Sequence, residues 1–459
     1  MKNILISSSY YAFFGILLKL LSFLVVMWLG RTLSVEEYAK FGLLYSLQQG
    51  VLTFSVAGIV ESIIGFLKNT KYNRQVLFNN AFFAALPTCS VVIIIASLYF
   101  LVASNNTQLT TTSFMSALFA GLFLAYFDLK AKLYRLDENH FSAILMLVLP
   151  LATTFIIGFL AVFWYGGGAY FYGSLLGVLL SFICLAKFTV MATRWDIDQE
   201  ITKVIANNAK PFVAVTLIGW FSGYGNNFII NIFFDVSEVA KYTFIYTLTG
   251  VMLVFAGMLN NVWSPHFYNK LNTCTHEEIE KKNLQFYSNL SLVLGLVGAC
   301  VILVYKHVLS YVGGGLTAYL GMELELCFLL LAYVVYVPSW HCRNYFYVKT
   351  KGKDLMKISL LSGAIGVSLS IVSMFLLGSI GIYVGFLVIM AIQTFYMVYV
   401  SIREWDIQVS WLAVCLGGVL ICFAYYAVSL GISFPIGLGL VMISYMAFFA
   451  CNYFLVSRA

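Results

Sequence analysis

The chain has 459 residues, of which 61% are hydrophobic and 10% are charged. In soluble globular domains about a quarter of the residues are charged. This composition therefore excludes a soluble globule and predicts a protein of the lipid bilayer. The net charge of +7 would suit a nucleic-acid binder, but most of the 26 lysines and arginines fall in short loops between apolar segments. Such loops face anionic headgroups, and we therefore expect no nucleic-acid partner.

Apolar segments of about 20 residues, long enough to cross the hydrocarbon layer as helices, recur about 14 times along the chain. The predicted fold class is an all-α polytopic membrane protein. The basic loops lie mostly on the side of the N-terminus, so the positive-inside rule places both termini in the cytoplasm. The nine cysteines stand singly and the five histidines lack metal-binding spacing, so we expect no metal site and no cofactor.

The first apolar segment, residues 4–30, has a lysine near its middle. Lys19 stands about 22 Å of helix rise from one end and about 16 Å from the other, beyond the reach of a lysine side chain to either interface. An unpaired ammonium is costly there, so Lys19 should face either an acidic group or a wet cavity. We favour the cavity and predict that Lys19 binds an anionic substrate; a structural ion pair is the alternative.

The second segment, residues 37–67, carries two polar side chains of interest. Glu61 is either an interfacial or structural carboxylate or a cavity carboxylate that contacts substrate or relays protons, and both interpretations stay open. Gln49 either contacts substrate or forms hydrogen bonds between helices. In the fourth segment, Asp128 is predicted to pair with Lys132, one helical turn later.

The longest polar connection, residues 191–209, carries both charge signs. We interpret it as a cytoplasmic linker between an N-terminal six-helix lobe, residues 1–190, and a C-terminal six-helix lobe, residues 210–403. Residues 404–459 then add two transmembrane helices outside the two lobes. The sequence shows no extramembrane domain and no phosphate-binding glycine loop. We therefore expect an ion gradient, the membrane potential or a substrate gradient to supply any driving force.

The seventh segment, residues 210–234, carries polar and aromatic side chains at the spacing of one helix face: Trp220, Tyr224, Asn227 and Asn231. Aromatic rings stack on the apolar face of sugars, and amides offer donors and acceptors to sugar hydroxyls. Tyr246 belongs to a comparable stripe on the next segment. This pattern predicts a sugar-binding face, and hydrogen bonding between helices is the alternative.

A short motif occurs twice. Ser34 to Leu47 (SVEEYAKFGLLYSL) is repeated as Asp235 to Leu248 (DVSEVAKYTFIYTL) at an offset of 201 residues. Each copy follows an apolar segment and opens the next one. Equivalent copies in equivalent places predict two pseudo-symmetric halves related by a parallel repeat, which is a common build for transporters.

The first copy lies in GRTLSVEEYAKFGLLYS (Gly30 to Ser46), which resembles the motif that closes the first span of Wzx-type polysaccharide flippases. These flippases belong to the multidrug/oligosaccharidyl-lipid/polysaccharide (MOP) exporter superfamily. The segments GNNFIINIFFDVSEVAKY (Gly225 to Tyr242) and WSPHFYNKL (Trp263 to Leu271) support the resemblance. Ala39, where the family usually has glycine, departs from the pattern. So do the two asparagines that end at Asn227, where many members have an Asp-Arg-like pair.

The resemblance implies two six-helix lobes around a central cavity in the bacterial inner membrane. Undecaprenyl-pyrophosphate-linked oligosaccharide would move from the cytoplasmic to the periplasmic leaflet by alternating access, as a step of polysaccharide, O-antigen or lipopolysaccharide biosynthesis. It also implies a transport protein rather than an enzyme. The implied partners are this lipid-linked substrate, membrane lipids, and polysaccharide polymerase or assembly proteins.

The implied substrate site combines basic and sugar-binding residues. Lys19, with help from Arg31 or Lys40, is predicted to hold the pyrophosphate, while the Tyr and Asn faces accommodate the glycan. Two alternatives stay open. One is an ion-coupled drug or cation antiporter of the same superfamily, for which Glu61 is the deep acidic candidate. The other is a membrane-embedded polysaccharide polymerase, although the large external loop typical of that class is not visible.

Overall fold

A computed structural model describes the chain at residues 14, 17–18, 21–60, 62–63, 74–107, 109–136, 139–186, 197–270, 274–348 and 352–458. Every regular element in these ranges is helical, which confirms the predicted all-α fold class. Among the described residues, 11 helices are long and apolar enough to cross a membrane. Two shorter apolar helices, Leu21–Thr32 and Ala169–Cys184, bring the total close to the predicted number of spans.

The chain divides by packing into two compact units, of which the first is Met1–Thr243. Its helices in chain order are α1 (Leu21–Thr32), α2 (Val35–Ser55), α3 (Arg74–Thr107), α4 (Thr111–Leu136), α5 (His140–Tyr165), α6 (Ala169–Cys184), α7 (Gln199–Ser222), α8 (Asn226–Phe233) and the first turns of α9 (Val236–Lys270). This division does not test how many helices each predicted lobe contains. The lobe boundaries at residues 190 and 210 therefore stay a prediction.

The second unit, Phe244–Ala459, contains the rest of α9 and the helices that follow it. These are α10 (His276–Val312), a 3-10 turn (Gly314–Tyr319), α11 (Glu323–Val348), α12 (Gly352–Leu377), α13 (Ile380–Trp405), α14 (Trp411–Ser429) and α15 (Phe434–Arg458). Helix α14 packs against α10 through two glycines, since a Cβ on Gly295 would stand 2.6 Å from the Cα of Gly417. Small residues permit such close backbone approach between membrane helices.

The two copies of the repeated motif each begin a helix, as predicted. Ser34 caps α2 by accepting a hydrogen bond from the backbone N–H of Glu37 at 3.2 Å. Helix α9 begins directly after Asp235, the equivalent residue of the second copy. The two copies also touch at equivalent positions, because a Cβ on Gly42 would stand 2.2 Å from Oγ1 of Thr243.

The second predicted segment, residues 37–67, is not one continuous helix. Helix α2 ends at Ser55, a turn follows, and the helical conformation resumes at Ile59. Gly58 has a φ of +72°, in the left-handed region that glycine adopts without steric cost. The carbonyl oxygen of Ser55 is left without a partner in its own helix, and the Thr88 hydroxyl of α3 lies 3.5 Å from it. Glycine at this turn is the physical reason for the break.

We expect Gly58→Ala to lower the free energy of unfolding by about 1–3 kcal/mol, from backbone strain and overpacking together. The new Cβ would stand 2.6 Å from the carbonyl oxygen of Ala209 and 2.7 Å from the Cβ of Phe212. Thermal unfolding of the purified protein in detergent measures the change. Gly219→Ala in α7 is the control, because that position has open space around it and alanine favours a helix. Equal stability of the two variants would contradict the strain at residue 58.

The seventh predicted segment, residues 210–234, is also divided, so the prediction of one continuous helix is wrong. Helix α7 ends at Ser222 and α8 begins at Asn226. The backbone N–H groups of Gly223 and Gly225 both donate to the carbonyl oxygen of Trp220, at 3.0 and 2.8 Å. This tight turn ends the helix and changes the direction of the side chains that follow it.

Helix α7 also begins earlier than predicted. Asp198 caps it by accepting hydrogen bonds from the backbone N–H groups of Glu200 and Ile201, at 2.9 and 3.1 Å. The second half of the predicted linker, from Gln199 onwards, is therefore helical. The sequence of that stretch is polar because its side chains lie mostly at the surface of the unit.

Candidate functional site

The break between α7 and α8 brings polar side chains of four helices together in the first unit. We name this group the helix-break cluster, and it consists of Ser46, Trp220, Tyr224, Asn226, Asn227, Tyr242 and Thr243. Its members come from α2, from both sides of the break and from the first turns of α9. In membrane proteins, irregular backbone is tolerated where it is buried in protein or lines a cavity, and broken helices commonly hold substrates or ions.

Asn227 joins the helices at the centre of the cluster. Its side chain is fully buried. The Asn227 Nδ2 group donates to Oγ of Ser46 at 2.7 Å, and its Oδ1 accepts from Oγ1 of Thr243 at 3.1 Å. One amide therefore links α8 to both copies of the repeated motif.

Asn226 and Tyr242 hold the turn itself. The amide of Asn226 donates to the carbonyl oxygen of Ser222 and to the Tyr242 hydroxyl, both at 3.0 Å. The Tyr242 hydroxyl donates in turn to the carbonyl oxygen of Gly223 at 3.1 Å. Two carbonyl groups next to the break thus have side-chain partners, which offsets the cost of a helix end inside the bilayer.

Aromatic rings surround the amides. The Trp220 indole N–H donates to the carbonyl oxygen of Ser46 at 3.2 Å, and the Trp220 ring lies edge-on to Phe54 at 5.3 Å. Tyr224 lies in the turn, with its ring edge-on to Tyr45 at 5.8 Å between centroids. The cluster offers hydroxyls, amides and rings, which are the groups that bind the faces and hydroxyls of sugars.

The structure unites some of the sequence-predicted residues and separates others. Lys19 and Glu61 lie outside the described residues. Arg31 is exposed near the end of α1, and three further predicted residues are partly buried: Lys40, Gln49 and Asn231. Tyr224 and Asn227 share the helix-break cluster. Tyr246 belongs to the second unit, where its ring lies edge-on to Phe386 at 6.0 Å between centroids.

Sequence reasoning missed three members of the cluster: Ser46, Asn226 and Thr243. The two glycines that flank Tyr224 were the available signal, because paired glycines are typical of turns. It also missed a buried carboxylate and imidazole in the second unit, Glu280 and His341, since they lie far apart in the sequence. Their side chains stand 3.2 Å from each other.

Comparison with known families decides the classification. Residues 4–269, more than half of the chain, match the family described as polysaccharide biosynthesis protein. The chain belongs to the polysaccharide biosynthesis protein family. The match covers all of the helix-break cluster and both copies of the repeated motif. A comparison with curated proteins gave no significant match.

Solved structures with the same fold are transporters and flippases. A structure titled lipid II flippase MurJ, inward closed conformation, is 13% identical, with a TM-score of 0.68 over 99% of both chains. An inward-facing multidrug resistance MATE family transporter of the MOP superfamily is 14% identical, with a TM-score of 0.64 over 85% of this chain and 98% of that one.

A variant of the MATE transporter VcmN from Vibrio cholerae is also 14% identical, with a TM-score of 0.57 over 88% of this chain and 97% of that one. At these identities the likeness concerns the fold. This member of the polysaccharide biosynthesis protein family thus has the fold of MOP-superfamily transporters and flippases.

Proposed function

We propose that the protein is a flippase that moves undecaprenyl-pyrophosphate-linked oligosaccharide from the cytoplasmic to the periplasmic leaflet, for polysaccharide or O-antigen synthesis. The bacterial inner membrane, with both termini in the cytoplasm, is part of this proposal. The observation that carries it is the helix-break cluster, an uncharged set of amides, hydroxyls and rings at an interrupted membrane helix. Membership of a polysaccharide biosynthesis family favours a glycan as the cargo over a drug cation.

In this proposal the two parts of the substrate contact different residues. Tyr224, Asn227 and Asn231 contact the glycan. Lys19, with Arg31 or Lys40, binds the pyrophosphate, whose two charged phosphates need cationic partners inside the membrane. The polyprenyl tail stays in the bilayer, where burial of its hydrocarbon costs nothing. Gln49, Glu61 and Tyr246 complete the set of proposed substrate contacts.

Reconstitution tests the proposal. The purified chain is placed in liposomes that contain the lipid-linked oligosaccharide, and a membrane-impermeant glycosidase or lectin measures the glycan on the outer leaflet over time. We expect the accessible fraction to rise only in liposomes that contain the protein. Lys19→Ala should abolish this rise, and Lys306→Ala, an exposed lysine outside the proposed site, should not. Transport by Lys19→Ala at the rate of the unchanged protein would refute the role of Lys19.

We expect Asn227→Leu to reduce the transport rate about tenfold and to lower stability by about 1–2 kcal/mol. The change leaves the hydroxyls of Ser46 and Thr243 without their shared amide. The same liposome assay measures transport, and thermal unfolding measures stability. Both measurements are needed, because transport would fall whether the lost Asn227 amide joined helices or bound the glycan.

A triple variant separates the two roles. Combining Asn227→Leu with Ser46→Ala and Thr243→Val replaces the whole hydrogen-bonded set by apolar groups, which is close to neutral for stability. We expect stability to return and transport to stay low, because the glycan contact is still missing. Recovery of transport together with stability would show that Asn227 only joins helices.

A further inference from the structure

A buried carboxylate and a buried imidazole lie side by side in the second unit. The Glu280 residue on α10 is 5% exposed and His341 on α11 is 1% exposed. Nε2 of His341 stands 3.2 Å from Oε1 of Glu280. Burial of an ionisable group is expensive unless it is paired, so two such groups in contact are a candidate for function.

Both oxygens of the Glu280 carboxylate accept hydrogen bonds. Oε1 accepts from the backbone N–H of Gln408 at 2.9 Å, and Oε2 accepts from the Tyr345 hydroxyl. Metal cations of the hard type bind where several oxygens converge as acceptors. Here the neighbours of the carboxylate donate hydrogen bonds instead, which does not suit a metal ion and favours the ionised form of Glu280.

The bond to Gln408 ties a connecting segment to the helices. Residues 406–410 link α13 to α14, and the N–H of Gln408 lies in this segment rather than inside a helix. Ile407 of the segment packs in a core cluster with Ile279 and Tyr345. Glu280 therefore holds the start of α14 against α10 and α11 through one charge-assisted hydrogen bond.

Two cavities lie beside the pair. A surface cavity is lined by His276, Tyr345 and the end of α13, and Tyr345 donates directly to Glu280. On the other side, His341 lines a small cavity of about 10 Å³ together with Ser288 and Ser291. That volume is close to the least that holds one water molecule.

Other ionisable side chains lie near the pair on some of the elements around it. Helix α11 presents Tyr345 and Cys342, and both interact electrostatically with Glu280. The surface cavity adds four side chains: His276, Arg403, Glu404 and Asp406. From α9, the described side chains near the pair are uncharged: Asn260, Trp263 and Phe267.

We propose that Glu280 and His341 form a proton-binding site that acts as a pH-sensitive latch on residues 406–410 and so controls the rate of transport. One proton passes from a hydronium ion to the Tyr345 oxygen while the Tyr345 hydroxyl proton passes to Oε2 of Glu280. One O–H bond of hydronium breaks and leaves water, one O–H bond forms at Glu280, and the tyrosine is regenerated. The carboxyl group is then neutral, its bond to the Gln408 N–H weakens, and residues 406–410 are released.

The rate of hydrogen exchange at the Gln408 amide measures directly whether its bond to Glu280 is formed. The full chain in detergent is labelled at several pH values, and the rates are corrected for the intrinsic pH dependence of exchange. At neutral pH we expect the amide of the unchanged protein to exchange about tenfold more slowly than in Glu280→Gln, since a neutral acceptor is the weaker one. In acid the two proteins should converge. His341→Gln, which removes the imidazole 3.2 Å from Oε1, should change the pH at which the latch releases.

Transport gives the second readout, and this part of the inference rests on the proposed function. We expect acidification to speed transport about tenfold in the unchanged protein, and Glu280→Gln to be fast at every pH. The control is Glu277→Gln, an exposed position on the same helix, which should keep the normal pH profile.

Each outcome separates the two ideas. Equal exchange of the Gln408 amide in Glu280→Gln and in the unchanged protein at neutral pH overturns the latch. The latch is also overturned if the Gln408 amide exchanges as expected but the transport rate does not respond to pH. If no lipid-linked oligosaccharide moves but the amide responds as expected, the proposed function fails and the proton site stands.

Discussion

Glu280→Ala is expected to lower the free energy of unfolding by about 3–5 kcal/mol, because it removes one partner of a buried charged network. The Tyr345 hydroxyl and the Gln408 amide lose their acceptor, and the His341 imidazole loses its neighbouring carboxylate. Thermal unfolding of the purified protein in detergent measures the loss. Glu280→Gln, which keeps an oxygen for the Gln408 amide, should lose much less.

Two controls make this result specific. Glu277→Ala changes an exposed glutamate on the same helix, and surface substitutions of this kind stay within about 0.5 kcal/mol. The double variant Glu280→Ala with His341→Ala should cost less than the sum of the two single changes, because the residues belong to one network. Additive losses would mean that the two side chains stabilise the unit independently.

Gly417→Ala is expected to lower the free energy of unfolding by about 1–3 kcal/mol. A Cβ at this position would stand 2.6 Å from the carbonyl oxygen of Ser291 on α10, and backbone atoms cannot move aside as a flexible side chain can. Helix α14 would have to separate from α10 along their shared length. Thermal unfolding again provides the measurement, and Gly295→Ala on the facing helix should give a loss of similar size.

The neighbouring glycine provides the matched control. A Cβ on Gly418 would stand 3.5 Å from Leu331, which is an ordinary contact. Gly418→Ala should therefore be neutral or stabilising by up to about 1 kcal/mol, because alanine is the better helix former. If Gly417→Ala and Gly418→Ala behaved alike, the close contact between α10 and α14 would not contribute to stability.

The helical class and the approximate number of spans could be predicted from the sequence, because hydrocarbon thickness sets the length of apolar segments. The repeated motif correctly indicated two equivalent helix starts, at Val35 and Val236. The pair of Asp128 and Lys132 is confirmed at 2.8 Å, since residues one turn apart on a helix meet without help from the rest of the fold.

The breaks in two membrane helices were harder to predict. The sequence around Tyr224 is as apolar as that of a continuous helix, and spacing alone placed Trp220, Tyr224, Asn227 and Asn231 on one face. The turn at Gly223 and Gly225 invalidates that spacing, because residues on either side of a break no longer share one helical axis. Asn227 consequently faces Ser46 and Thr243 as a member of a cluster that periodicity could not reveal.

The contact between Glu280 and His341 could not be predicted from local pattern at all. The two residues belong to different helices. Each has charged neighbours in the sequence, as is typical of an ordinary loop at the membrane interface. Their burial depends on how α10, α11 and residues 406–410 pack, which is a property of the tertiary structure. Long-range pairing of this kind leaves no signature in a single sequence.

The length of α10 has a consequence for measuring orientation. Its 37 residues rise about 55 Å, whereas the hydrocarbon layer is about 30 Å thick. Several turns of this rod must therefore protrude into water, and the charged stretch from His276 to Lys282 is the end suited to do so. A membrane-impermeant amine reagent applied to sealed vesicles of known sidedness would reach Lys282 from one face only, and so reveal which compartment that end occupies.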